Sequence, residues 1–264
     1  MNIVACIKQV PATQQVKVDP ETGNLMRAGV RSKMNPFDLF ALEVALRLRA
    51  AYGGQVTVIT MGPPQAEAVL REAYTMGADH GVLLTDRRFA GADVLATSRT
   101  LAAGIAALPG FDLILCGRQT TDGDTAQVGP ALAETLGIPH VTWIREITGI
   151  SDGKVTLVHE LPTHVMTLRL PLPALLTVEK DTVTPRLPSY RTLKAVRDKP
   201  IQRLTCDDLV AAGADAKTFG GDGSPTRVER VYTPTHEVPR VRLTGTAAET
   251  ARQLAALLRE QRIL

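Results

Sequence analysis

The chain has 264 residues, enough to bury a substantial core, and its 44% hydrophobic and 22% charged content is ordinary for a globular protein. A formal net charge of +3, with no basic run interleaved with aromatics, argues against a nucleic-acid partner. Three cysteines far apart in sequence give no disulfide framework or paired-cysteine metal motif. No apolar run nears the roughly 20 residues of a membrane span, so a cytoplasmic, reducing compartment is expected.

Residues 2–7 read as a buried strand that begins almost at the N-terminus. Residues 11–34 are polar and turn-rich, and Asp19–Asn24 suggests a small hairpin between Val16–Val18 and Leu25–Arg27. Asn35-Pro36 opens a helix, with Asn as cap and Pro at the first helical position. Leu39, Leu42 and Leu46, with Phe40, Val44 and Leu48, give that helix a wide apolar face to about Ala51, where Gly53-Gly54 stops it. Residues 56–60 form a second strand, and Gly62-Pro63-Pro64 turns into a helix ending at Met76. Strand 81–85, helix 92–107, strand 111–116 and helix 125–136 follow. Ile138–Val141 and Leu172–Val178 are further strands. Trp143–Val158 reads as a hairpin about Ser151–Lys154, paired with Thr163–Arg169. This alternation predicts an α/β fold with a doubly wound, mostly parallel, Rossmann-like sheet.

The expected organisation is a nucleotide-binding core over 1–180, with hairpin excursions at 9–34 and 143–169. An irregular basic segment, 181–205, follows it. A C-terminal arm, 206–264, then ends in an amphipathic helix that packs on the core or on a partner.

The most informative stretch is Cys116–Pro130. It leads from a buried strand through a small, polar, Gly-containing turn into a helix, an arrangement that presents backbone N–H groups to a phosphate. Asp124 is the expected N-cap, with Gln127 three residues on. Arg118 suits either a phosphate or a structural salt bridge, and Asp122 and Asp124 suit capping or sugar hydroxyls. No catalytic or metal constellation is recognisable: the five histidines lack HExxH spacing and no nucleophile motif is present. That favours a binding or electron-carrying protein whose cofactor holds the chemistry.

Four blocks in order carry a resemblance: Val4–Val10; Met34-Asn35-Pro36-Phe37-Asp38; Met61-Gly62-Pro63 with Ala73–Asp79; and Gly117-Arg118-Gln119 through Gln127-Val128-Gly129. Over nearly its whole length the chain resembles the β subunit of electron-transfer flavoprotein, and its loop resembles the bifurcating branch. The resemblance implies a heterodimer with an α subunit that largely holds a shared FAD. The β subunit's own nucleotide would be AMP in the ordinary form. In the bifurcating form it would be a second FAD that takes hydride from NADH. The isolated chain would then be an electron-transfer subunit rather than an enzyme. Its partners would be an acyl-CoA dehydrogenase-type flavoenzyme and a low-potential ferredoxin or flavodoxin. Carried onto this sequence, the nucleotide contacts are Cys6, Asn35, Pro36, Phe37, Asp38, Met61, Arg118, Gln119, Thr120, Thr121, Asp122, Gly123, Asp124, Thr125, Ala126, Gln127, Val128 and Gly129. Small residues at Gly123, Ala126 and Gly129 are expected to leave room for the longer ligand. Segment 181–205 resembles the family's recognition loop, with Tyr190, Arg191, Leu193 and Lys194 as docking residues and Leu193 as the anchor. Arg197 stands where an apolar residue is commoner. A stand-alone adenine-nucleotide sensor is the rival reading, for which the loop and tail after Val178 would be superfluous.

Overall fold

The computed structural model describes residues 1–12, 31–229 and 240–264. It separates into two compact units, Met1–Glu229 and Arg230–Leu264. The first unit begins with β1 (Asn2–Cys6), β2 (Gln9–Pro11), β3 (Ser32–Met34) and α1 (Pro36–Tyr52). It continues through β4 (Gln55–Met61), α2 (Glu67–Met76), β5 (His80–Leu84), α3 (Val94–Ala106), β6 (Leu113–Gly117) and α4 (Val128–Leu136). Then come β7 (His140–Ser151), β8 (Lys154–Glu160), β9 (Val165–Pro171), β10 (Ala174–Val178), α5 (Tyr190–Ala195), β11 (Gln202–Leu204) and α6 (Cys206–Ala211).

Among the described residues nine strands form one sheet, in the order β11-β5-β4-β1-β6-β10-β7-β8-β9. From β11 to β7 all neighbours are parallel; β8 and β9 extend the sheet as an antiparallel meander. The doubly wound α/β sheet read from the alternating pattern is therefore present.

The central strands are predominantly apolar because both faces are covered. On one face Ile3, Ala5, Val56, Val58, Leu113 and Leu115 pack with Leu42 and Leu46 of α1 and Leu70 and Tyr74 of α2. On the other, Val4, Ile59, Ile114 and Leu175 pack with Leu101 and Ile105 of α3, Leu132 of α4, and Cys206 and Leu209 of α6. Adjacent residues of one strand thus feed two different cores, as a two-residue strand period requires.

Two expectations change. Helix α4 begins at Val128, not near 125, because Asp124 and Ala126 have left-handed backbone (φ 51° and 56°) that no helix continues through. Segment 181–205 is less irregular than its composition suggests: it holds α5 and a three-residue strand, β11, which extends the sheet beside β5. The Tyr74 hydroxyl, buried in the core, fastens this segment by donating to the Pro200 carbonyl at 2.6 Å. The hairpin expected around 19–24 lies outside the described residues; β2 and β3 pair antiparallel just before and after that stretch.

The second unit contains α7 (Ala247–Glu260), whose start is a capping box between Thr246 and Glu249. Considered by itself, it buries none of its side chains, and Leu254 is exposed.

Candidate functional site

β1 lies between β4 and β6, so the chain leaves it in one direction and returns on its other side. The carboxyl ends of β1 and β6 therefore flank the switch point, where open parallel sheets form a ligand crevice. The expected segments converge there: Cys6 ends β1, Asn35–Asp38 open α1, Met61 ends β4, and Arg118–Gln127 link β6 to α4.

Asn35 and Asp38 fasten these segments together. Asn35 is the N-cap residue of α1 and fully buried, but its side chain does not cap its own helix. Its Nδ2 donates instead to the Gln119 carbonyl at 2.8 Å and to Asp38 Oδ1 at 2.9 Å, and its Oδ1 accepts from the Thr121 N–H at 3.3 Å. Asp38 Oδ2 accepts the Lys8 N–H at 2.7 Å. One Asn and one Asp thus join the end of β1, the start of α1 and the loop after β6. Burial pushes the Asp38 carboxyl up to about 7, even though the Asn35 side chain and the Lys8 and Gly117 amides favour its charged form.

Close backbone approach explains one glycine in this scaffold. A Cβ on Gly117 would stand 2.3 Å from Asp38 Oδ1 and 2.7 Å from the Phe37 carbonyl carbon. Only glycine lets β6 end against the start of α1.

The loop itself faces solvent. Lys8 Nζ reaches Asp122 Oδ1 at 2.7 Å; burial pushes the Asp122 carboxyl up, but Lys8, the Thr120 hydroxyl and the Gly123 amide together hold it below its ordinary range. Asp124 is not the cap of α4: Gln127 holds that position, and Asp124 Oδ1 accepts from Gln119 Nε2 at 2.6 Å. No side chain caps α4, so the first-turn amides of Val128 and Gly129 stay at the loop's end, where the helix dipole favours an anion. Among the described residues, a Cβ on Gly123 would meet only Thr120 Oγ1, at 3.6 Å, so the loop has room there. Gly129 is different. A Cβ on it would stand 2.5 Å from Thr177 Cγ2, so its smallness seats α4 on β10 rather than making room for a ligand.

Arg118 takes the structural alternative. Its guanidinium pairs with Glu179 and stacks 4.2 Å from the Trp143 ring centre. Trp143 has φ 54°, rare for so bulky a residue, at a register shift between β7 and β10, and its N–H donates to Thr177 Oγ1 at 2.8 Å. Arg118 Nε is buried without a hydrogen-bond partner among the described residues. Sequence reasoning missed Lys8, Trp143, Thr177 and Glu179. Lys8 lay inside a quoted block, but a bulge that turns the single tryptophan under an arginine has no local signal.

The residues expected to dock a partner group together. Tyr190, Arg191, Leu193 and Lys194 all lie on α5, whose start is a capping box between Ser189 and Thr192. Tyr190 is 83% and Leu193 49% exposed. Among the described residues no cluster of histidine, cysteine and carboxylate groups could hold a metal, and no helix is long and apolar enough to cross a membrane.

The electron transfer flavoprotein domain matches residues 22–209. The chain belongs to the electron transfer flavoprotein family, as a β subunit. The electron transfer flavoprotein subunit beta of Thermoanaerobacterium thermosaccharolyticum is 44% identical over the full length of both chains. The caffeyl-CoA reductase-Etf complex subunit CarD of Acetobacterium woodii is 42% identical over the full length of both. Protein FixA of Bradyrhizobium diazoefficiens is 42% identical over 96% of this chain and 90% of its own. Electron transfer flavoprotein β subunits carry electrons in partnership with an α subunit, and the family binds flavin and AMP.

Proposed function

We propose that this β subunit holds an FAD in the crevice between β1 and β6 and serves a bifurcating electron-transfer flavoprotein. The observation that carries the reading is the Asn35–Asp38 scaffold. It fixes a solvent-facing loop of small residues directly before an uncapped helix start. The residues fit an adenine dinucleotide. The amides of Val128 and Gly129 supply N–H groups for a phosphate, and Gly123 leaves space beside the loop. Cys6 and Met61, half-buried at their strand ends, offer apolar surface for a ring. When bound, the flavin would supply the hydride and single-electron chemistry, with NADH as donor. The chain's own residues position it: Asn35 and Asp38 set the loop's height, and Lys8 draws Asp122 inward. Similarity to CarD, a subunit of a complex named for its caffeyl-CoA reductase, supports an acyl-CoA dehydrogenase-type flavoenzyme as high-potential partner. Ferredoxin or flavodoxin would be the low-potential acceptor, in the cytoplasm. The exposed Tyr190 and Leu193 on α5, among Arg191 and Lys194, supply an apolar anchor with charged neighbours for steering.

The experiment is to denature the purified αβ heterodimer and quantify released nucleotides. Two FAD per heterodimer is the expected result. One FAD with one AMP would overturn the bifurcating reading in favour of the ordinary carrier. A stable flavin-free monomer that purifies without an α subunit would favour the sensor.

A further inference from the structure

The switch point holds a feature that nucleotide binding does not require. Cys6 and Cys116 are register partners on the neighbouring parallel strands β1 and β6, at the ends that border the crevice. Both pack with the same core, beneath α3 and α4. Residues in register on adjacent strands lie about 4.8 Å apart, inside the ~4.4–6.8 Å that a disulfide spans between Cα atoms. The thiols are hydrogen-bonding neighbours, and both are free. Their surroundings differ. Cys116 is 6% exposed, whereas Cys6 is half-buried at the crevice. The hydrogen bond with Cys6, together with burial and the nearby Asp38, holds the Cys116 thiol well above its ordinary value, so it stays protonated.

We propose that Cys6 and Cys116 are a dithiol that peroxide oxidises to an intrachain disulfide across the nucleotide crevice. Cys6 is the sulfur an oxidant reaches first. Its thiolate attacks the peroxide, the O–O bond breaks, and a Cys6 sulfenic acid and hydroxide form. The Cys116 sulfur then attacks the Cys6 sulfur and the S–O bond breaks. The departing hydroxide leaves as water with the Cys116 proton. In sum, two thiols and one hydrogen peroxide give one disulfide and two waters. Cys206, the first residue of α6, is buried away from this strand pair and stays reduced. The linkage stands on strand register alone. That bound nucleotide shields Cys6 rests in addition on the proposed function.

The test uses the full-length chain, stripped of nucleotide and treated with hydrogen peroxide. Free thiols are alkylated and tryptic peptides mapped by mass. The expected product joins peptide 1–8 to peptide 100–118, with the loss of two hydrogens and of two alkylatable thiols, and is reversed by dithiothreitol. Cys116→Ser should leave a Cys6 sulfenic acid that dimedone traps, and Cys6→Ser should leave Cys116 reduced. Oxidation of Cys6 without that cross-link at any peroxide concentration, or cross-linking only after unfolding in urea, would overturn the proposal. Because the mapping is done on the unsubstituted chain, a misfolded variant does not block it. Added FAD or AMP should slow cross-linking. Equal rates with and without nucleotide would leave the dithiol standing and count against the nucleotide's placement beside Cys6.

Discussion

The crevice at the switch point and the α5 segment are both loop-borne, yet they are built by opposite rules. In the crevice nearly every polar side chain is committed: Asn35 makes three hydrogen bonds, Asp38 joins β1 to α1, and Lys8 is paired with Asp122. On α5 the commitments are internal to a single turn, through the Ser189–Thr192 box, and the large side chains stand in water. The first arrangement suits a ligand held for long times. The second suits a partner that arrives and leaves, because an exposed anchor needs no rearrangement before it docks.

Several substitutions can break that comparison. The largest effect is expected at Gly117→Ala, which drives a Cβ into the Phe37 backbone and the Asp38 carboxylate. It should lower unfolding stability by about 3 kcal/mol, read from the urea midpoint at constant slope. A loss under about 0.5 kcal/mol would show that β6 and α1 are not locked together.

Asp38→Asn comes next. It presents an amide donor to N–H groups that need an acceptor, at a cost of about 1–3 kcal/mol. It should also change the pH dependence. Asp38 titrates near 3.8 in the unfolded chain and at about 7 in the folded one. Between those values the folded state keeps a proton that the unfolded state has lost. The group's contribution therefore falls as pH rises through that window and levels off above about 7. Thermal melts from pH 4 to 8 should show this decline in the parent chain and a flatter profile in the variant.

On α5, Leu193→Ala should leave stability within about 0.5 kcal/mol while lowering the dehydrogenase coupling rate about tenfold, the scale of one lost interface anchor. An unchanged rate would move the anchor elsewhere. The smallest effect is expected at Lys8→Met. Its partner Asp122 is buried but Lys8 is 41% exposed, so the pair is worth about 1 kcal/mol or less. Loop amides near Asp122 should exchange faster with little change in the melting point.

Sequence patterning revealed the sheet and its order of elements because buried parallel strands and amphipathic helices leave period signals: Val56–Ile59 and Leu42–Leu46 are examples. It placed Cys6, Asn35–Asp38, Met61 and Arg118–Gly129 around one crevice because a parallel sheet brings all strand ends to one edge. What it missed depended on tertiary contacts. The helix after the loop starts late because Asp124 and Ala126 are left-handed, which composition does not reveal. Gly129 looked like ligand space but faces Thr177, a residue 48 positions away that no local pattern connects to it. β11 is three residues long, below the length at which alternation is detectable, and it pairs only because β5 offers an open edge. Asp124 was a reasonable cap by spacing, but the Gln119 amide claimed it.

The most direct test of the central claim, that the Asn35–Asp38 scaffold and the Arg118–Gly129 loop form the nucleotide site, is amide hydrogen exchange on the purified heterodimer with its nucleotide retained and removed. The account expects retained nucleotide to protect residues 118–129 and 35–38, with no change across 190–195. Equal exchange at 118–129 in both states would contradict it.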